Sequence, residues 1–193
     1  MVHAILNGSK TQTRRLMKHQ PPGHDYEIAH RLCDQAKPTN VGKYRWFKSQ
    51  VAEPDFAQPM FSAPYGGRGD RLWVKETFMP MPHLNAKAFY RASDPLIGGK
   101  WKPSIFMPRA LSRIALEITG IRSDRLQDIS EEDAKAEGIY VLPVPGGGFK
   151  WAQGEEEYDS AKEAYQALWE SINGPRSWDA NPWVWVVEFK ALI

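Results

Sequence analysis

Nine consecutive positions, Asn7-Gly-Ser-Lys-Thr-Gln-Thr-Arg-Arg15, combine a glycine, a lysine, two threonines and two arginines. Gly8 lets the backbone turn tightly, and the amides that follow, from Ser9 onward, can then point at an anion. Lys10 supplies a point charge. Arg14 or Arg15 can grip a phosphate or carboxylate with two parallel hydrogen bonds. The Lys10/Thr13 pair can also transfer a proton, since a neutral lysine can activate a threonine hydroxyl. The stretch is not a nucleotide-binding P-loop, because the second glycine and the preceding strand are both absent. Taken alone it fits an exposed basic turn as well as a ligand site.

Further candidates lie downstream. Glu76 shares the apolar parity of its predicted strand with Leu72 and Val74, which places it either in a cleft or in a strand-end ion pair. Trp101 stands between Lys100 and Lys102 in an extended segment, a setting suited to stacking a base. His3, His19, His24, His30 and His83 are scattered, so no metal site is expected. Cys33 is the only cysteine, which excludes an intrachain disulfide and a cysteine metal cluster. No cofactor is expected either.

Several elements must hold these groups. Val2, Ile5 and Leu6 are spaced for one face of a short helix, which Gly8 can end. Thr11 to Met17 reads as a short strand. From Pro21 to Pro64 the pattern dissolves into irregular surface, apart from Lys43-Tyr-Arg-Trp-Phe-Lys48, one strand of an inserted hairpin. Tyr65-Gly-Gly-Arg-Gly-Asp70 is a turn into a strand from Leu72 to Phe78. Another short strand is expected at Ala88–Arg91. Two prolines hold Trp101–Arg109 extended, and Ser112–Thr119 forms a strand. Ser130 is a good N-cap for a helix over Glu131–Glu137, which Gly138 ends. Pro143–Gly148 is a loop.

The longest helix is predicted over Tyr158–Asn173, with an apolar stripe of Ala161, Tyr165, Leu168, Trp169 and Ile172. Trp178-Asp-Ala-Asn-Pro182 reads as a structural lock, and Trp183–Phe189 as a strand buried on both faces. This order is not βαβαβ. It points to an α+β fold with a mostly antiparallel, barrel-like sheet.

At 193 residues the chain fits one domain, and no apolar run is long enough to span a bilayer. Met1–Leu6 is too short for a secretory signal, so a cytoplasmic location without membrane contact is expected. Charge is uneven beneath a net +2. Residues 1–50 hold nine Lys/Arg against three Asp/Glu, residues 51–125 eleven against seven, and residues 126–193 five against thirteen. A basic region able to meet phosphate backbones therefore faces an acidic one in sequence.

The Gly8–Arg15 stretch resembles the Gly-x-Lys-x-x-x-x-Arg signature of the ASCH (activating signal cointegrator homology) family. The order of further features is similar: a short helix before the signature, Gly69-Asp70 leading into a strand, and Leu-x-x-Ile-Ser-Glu-Glu opening a helix over Leu126–Gly138. A hydrophobic strand, Val184–Phe189, closes the chain. The longer phage- and prophage-associated bacterial members are the most similar, through Gly-Asp-Arg-Leu-Trp-Val-Lys-Glu and Ser-Ile-Asn-Gly-Pro-Arg-Ser-Trp-Asp-Ala-Asn-Pro-Trp-Val-Trp. Family members commonly begin with a strand, whereas this chain starts at the helix. Insertions are expected at about 17–64, 79–110 and 139–157 in a single domain spanning 1–193.

The resemblance implies a PUA-like pseudo-β-barrel with flanking helices and a cleft for a nucleoside or nucleic acid. Small bacterial members are similar to amidohydrolases that deacetylate N4-acetylcytidine with a Lys and a Thr from the signature and a Glu from the helix. Here those are Lys10, Thr13 and Glu137, with Gly8, Ser9, Arg14, Arg15, Glu76 and Trp101 as substrate-binding candidates. Other relatives look like nucleases or modules that bind RNA or single-stranded DNA. A phage accessory protein that binds a protein partner through its insertions is a third class. For amide hydrolysis, Lys10 must be neutral to act as a base. Its pKa then falls from ~10.4 toward neutrality, a differential cost of about 4 kcal/mol. Lys10 as a fixed anion-binding charge is the other role.

Overall fold

The computed structural model describes residues 1–23, 26–29, 43–48, 60–81, 88–143, 149–153 and 156–192. Its centre is a four-stranded sheet in the order β1 (Gln12–Leu16), β12 (Trp183–Leu192), β8 (Ala115–Arg125), β5 (Arg71–Trp73). All three pairings are antiparallel, and the sheet curls into a half-barrel. Helices are few: α1 (Val2–Leu6), α2 (Glu131–Ala136) and α3 (Ala161–Asn173). The result is the sheet-rich, antiparallel mixture of α and β expected from the sequence. Among the described residues no helix is long and apolar enough to cross a membrane.

β12 dictates this arrangement. Its Val-Trp-Val-Val run is buried on both faces, because alternate side chains enter different cores. Val184 and Val186 join Leu126, Ile129, Ala134, Tyr165 and Trp169 beneath α2 and α3. Trp185 and Val187 point the other way, into a cluster with Met17, Ile118 and Trp46. Fully burying a valine stabilises by about 1.5–3 kcal/mol, so β12 locks both layers at once. α3 begins at a Ser160 cap, three residues later than the pattern suggested, and Gly174 (φ 97°) ends it.

Several expectations need correction. The strand over Ser112–Thr119 instead begins at Ala115 and runs on through polar residues to Arg125. Register pairing with β12, such as Trp183 opposite Arg125, outweighs their weak strand propensity. The strand over Leu72–Phe78 divides into β5 and β6 (Phe78–Pro80), the latter paired with β7 (Ala88–Tyr90). Trp101–Arg109 is not simply extended. Pro103 and Pro108 each precede a 3-10 turn, at Ser104–Phe106 and Arg109–Leu111, as suits a residue with fixed φ at a helix start.

The insertions are also more regular than their sequence suggested. β3 (Lys43–Lys48) forms as expected, but between β2 (Tyr26–Ala29) and β4 (Phe61–Ser62), and it buries Tyr44 and Trp46 in the core. Within 139–157, β9 (Tyr140–Pro143), β10 (Phe149–Gln153) and β11 (Glu156–Tyr158) build another antiparallel sheet. Cys33, His24, His30 and His83, and the loop residues 144–148, lie outside the described residues.

Candidate active site

The Asn7–Arg15 stretch is clamped on three sides. Its Lys10 amide donates to Ala4 of α1 (2.7 Å), and its Thr11 amide donates to Ala136 at the end of α2 (2.9 Å). The Thr11 carbonyl accepts from Phe189 of β12 (2.8 Å). Gly8 takes φ 77° with open space around it, so backbone conformation rather than crowding calls for glycine there. Gly138 is glycine for both reasons. Its φ is 94°, and a Cβ would sit 3.2 Å from Ala4 Cβ and 3.3 Å from Lys10 Cβ. That close approach lets Lys10 and Glu137 form an isolated antiparallel bridge.

Lys10 and Glu137 meet inside. Lys10 Nζ donates to Glu137 Oε2 at 2.7 Å and to the Glu137 carbonyl oxygen at 2.6 Å. Both side chains are only 4% exposed. The second contact occupies a carbonyl that the end of α2 would otherwise leave without a donor. Two of the three hydrogen-bonding positions on Lys10 Nζ are thus committed, and the third has no partner among the described residues. Burial pushes the Lys10 pKa down. Glu137 opposes that shift, the nearby Arg15 and Arg14 reinforce it, and the net direction is downward.

A cavity of about 110 Å³ opens beside the pair. Lys10, Thr13, Arg15 and Glu137 line one side, and Tyr165, Leu168, Trp169 and Ile172 of α3 line the other. Three buried polar atoms on lining residues lack a partner among the described residues: Glu137 Oε1, Arg14 Nε and Trp169 Nε1. Unpaired buried polar atoms are rare because each costs about 1–3 kcal/mol. Here one acceptor and two donors are orphaned on residues that line one small cavity. Burial first, and then the Glu137 charge, raise the pKa of Tyr165, which keeps its hydroxyl protonated. The Thr13 hydroxyl makes no hydrogen bond within the described structure, and it is not bonded to Lys10.

The remaining predicted residues divide between this cavity and other places. Arg14 lines it but is not free to grip an anion: its buried guanidinium donates to Asp133 Oδ2 at 2.7 Å. Arg122 binds the same carboxylate at 2.9 Å and also pairs with Asp124 and Glu188. Burial alone would raise the Asp133 pKa, but the hydrogen bond and charge of Arg14, with Arg122, hold it below its ordinary value. Arg15 is the exposed arginine at the rim. Ser9 turns its hydroxyl to Asn7 Oδ1 and Ala4 O, away from a ligand role.

Glu76 is not at this cavity. It is buried elsewhere, and Arg113 holds both of its carboxylate oxygens, at 2.8 and 2.9 Å. The strand-end ion pair was the right alternative for it. Trp101 likewise lines a separate groove. The cavity wall contributed by α3 was missed as a functional surface, because its residues match an ordinary core stripe. Ile172, at the end of that stripe, is 59% exposed although the pattern predicts burial. The lock at 178–182 forms as read: Trp178 is buried against Tyr165, and Asn181 Oδ1 accepts from the Gln127 amide.

No family model matches the chain, and no curated protein or solved structure matches it.

Proposed function

We propose that the chain is an ASCH-type protein with a PUA-like half-barrel, and that its cleft hydrolyses the amide of an N4-acylated cytidine of the N4-acetylcytidine type. One observation carries this reading. A buried lysine, pushed toward its neutral form, is hydrogen-bonded to a buried glutamate whose second oxygen is unpaired at a cavity that Thr13 also lines.

Each group has a role in that chemistry. Neutral Lys10 takes the Thr13 hydroxyl proton as Thr13 Oγ attacks the acyl carbon. The proton taken by Lys10 is relayed through the hydrogen-bonded Glu137 carboxylate to N4 as the C–N bond breaks, so that cytidine leaves with its amino group and Lys10 and Glu137 return to their starting states. Water then hydrolyses the threonine ester and releases the carboxylic acid and cytidine. The Thr13–Lys10 contact tightens only when substrate fills the cavity, as catalytic hydrogen bonds often do.

The test is incubation of the purified protein with N4-acetylcytidine, followed by chromatography for cytidine. Product is expected from the wild type and is lost in Lys10→Ala. Absence of product, or product undiminished in Lys10→Ala, overturns the enzymatic reading. The exposed Arg15 at the rim favours a second reading, a cleft that binds RNA or single-stranded DNA without turnover. That reading predicts binding without product, with log K falling as log salt rises.

A further inference from the structure

A second surface, sharing no lining residue with the Lys10 cleft, combines an exposed phenylalanine and a half-buried tryptophan with cations that have no acidic partner among the described residues. Lys102 exchanges two backbone hydrogen bonds with Phe78 of β6, at 2.8 and 3.1 Å. These add the Trp101–Lys102 segment as a short third strand at the edge of the β6–β7 hairpin. Met107 is buried with Phe78 and Ala88 and anchors the other end. Between the two anchors, the 3-10 turn after Pro103 drives Ile105 and Phe106 outward, where they are 69% and 70% exposed. Trp101, Phe106, Met79 and Met81 line an open groove of about 630 Å³, with Lys100 and Lys102 on its border.

Folding does not explain this exposure. An outward phenylalanine forgoes the stabilisation of a buried one, and here the turn is fixed by prolines and by a buried methionine rather than by Phe106. Charge identifies the occupant. Residues 71–113 hold eight Lys/Arg against two Asp/Glu, and one of those two acids, Glu76, is already bound by Arg113. Lys100, Lys102 and Arg109 have no acidic partner among the described residues. Lys75 lies over the Trp73 ring at 5.2 Å and donates to the Ile105 carbonyl, extending the positive, aromatic face. Flat aromatic faces interleaved with unpaired cations match a strand of unpaired bases on a phosphate backbone. An acidic protein segment would use the cations and leave the aromatic faces unstacked.

We infer that the Trp101–Phe106 groove binds single-stranded nucleic acid, as a site separate from the Lys10 cleft and independent of its chemistry. The probe is a fluorescein-labelled oligouridylate or oligothymidylate of about 12 nucleotides, within the ~4–16 that such surfaces cover. Anisotropy titrations at about 50 mM salt are expected to show binding. Trp101→Ala and Phe106→Ala, at positions whose loss leaves the core intact, should each weaken it by roughly 5- to 100-fold, the range for one lost base stack. Lys100→Gln with Lys102→Gln should reduce the slope of log K against log salt by about 1.4, or ~0.7 for each phosphate contact. Lys10→Ala should bind as the wild type does, and Trp101→Ala should leave turnover of a free nucleoside unchanged. No binding at low salt overturns the inference, as does unchanged affinity in Trp101→Ala and Phe106→Ala. Loss of binding in Lys10→Ala would move the strand to the cleft and overturn it equally.

Discussion

Lys10→Met alone is expected to destabilise the protein far more than Lys10→Met combined with Glu137→Leu. In the single variant, a carboxylate 4% exposed loses its only cation. Removing one partner of a buried pair costs about 3–5 kcal/mol, because the other charge remains buried. At this chain length 1 kcal/mol moves Tm by about 2–4 °C, so the midpoint should fall by roughly 6–20 °C. The double variant removes the stranded charge. What remains is the Glu137 carbonyl, which accepted from Lys10 Nζ at 2.6 Å and now costs about 1–3 kcal/mol unpaired. Apolar replacement of a buried ion pair often recovers 1–4 kcal/mol, so the double variant should lie within about 2 kcal/mol of the wild type. Urea unfolding at neutral pH followed by tryptophan fluorescence measures both. A double variant as unstable as Lys10→Met would refute the reasoning and make the pair a structural fastener. Recovery of stability without recovery of turnover would mean that the pair serves chemistry.

The nearby charges and turn make three further predictions. In the proposed reaction the neutral amine of Lys10 is the active form, so kcat/KM should rise with pH through a folded pKa below the ordinary 10.5 and fall away beneath it. Arg15 helps to lower that pKa, so Arg15→Gln should move the rising limb to higher pH in a pH–rate profile; a limb that stays in place refutes Lys10 as the base. Gly138→Ala should cost about 1–2 kcal/mol for its left-handed backbone alone, and crowding against Lys10 should lower turnover as well, checked by urea unfolding and the cytidine assay. Asp133 is held below its ordinary pKa, so its stabilising term is present above ~3.9 and lost as pH falls through its folded value. Asp133→Asn should flatten that acid limb of stability and, by leaving the buried Arg14 with only the longer Asp124 contact (3.8 Å), cost about 1.5–3 kcal/mol at neutral pH.

How much of this was legible in the sequence depended on whether the signal was local. Helix ends depend on near neighbours, so the Ser130 cap and the stops at Gly138 and Gly174 could be placed directly, whereas the Ser160 cap was passed over for a start at Tyr158. The apolar run of β12 also declared its own burial. Pairing across the sheet is not local. Gly120–Arg125 carries little strand propensity, and only its register with β12 makes it strand. Lys10 and Thr13 stood out by residue type, whereas Glu137 had no local reason to be chosen; only the family resemblance joined it to Lys10, 127 positions away. Arg14 misled because its charge was legible while its partner, Asp133, lies on another element.

The insertions clarify why a small cleft sits in a chain of this size. Tyr44 and Trp46 come from the 17–64 insertion, yet they complete the core beneath Trp185. Trp151, from the 139–157 insertion, packs against the α3 cluster, with Lys135 of α2 over its ring at 5.0 Å. Both insertions therefore brace the back of the elements that hold Lys10, Glu137 and the α3 wall, and among the described residues neither contributes to the cavity lining. The 79–110 insertion differs. It buries Ala88 and Met107 with Phe78 in a small core of their own, turns Ile105 and Phe106 outward and leaves Trp101 half-buried at the groove. The described aromatics of the other two insertions that reach the core, Tyr44, Trp46 and Trp151, are at least half-buried, whereas Phe106 is 70% exposed. This contrast between bracing and display marks the basic groove around Trp101 and Phe106 as a surface whose side chains are not spent on the core.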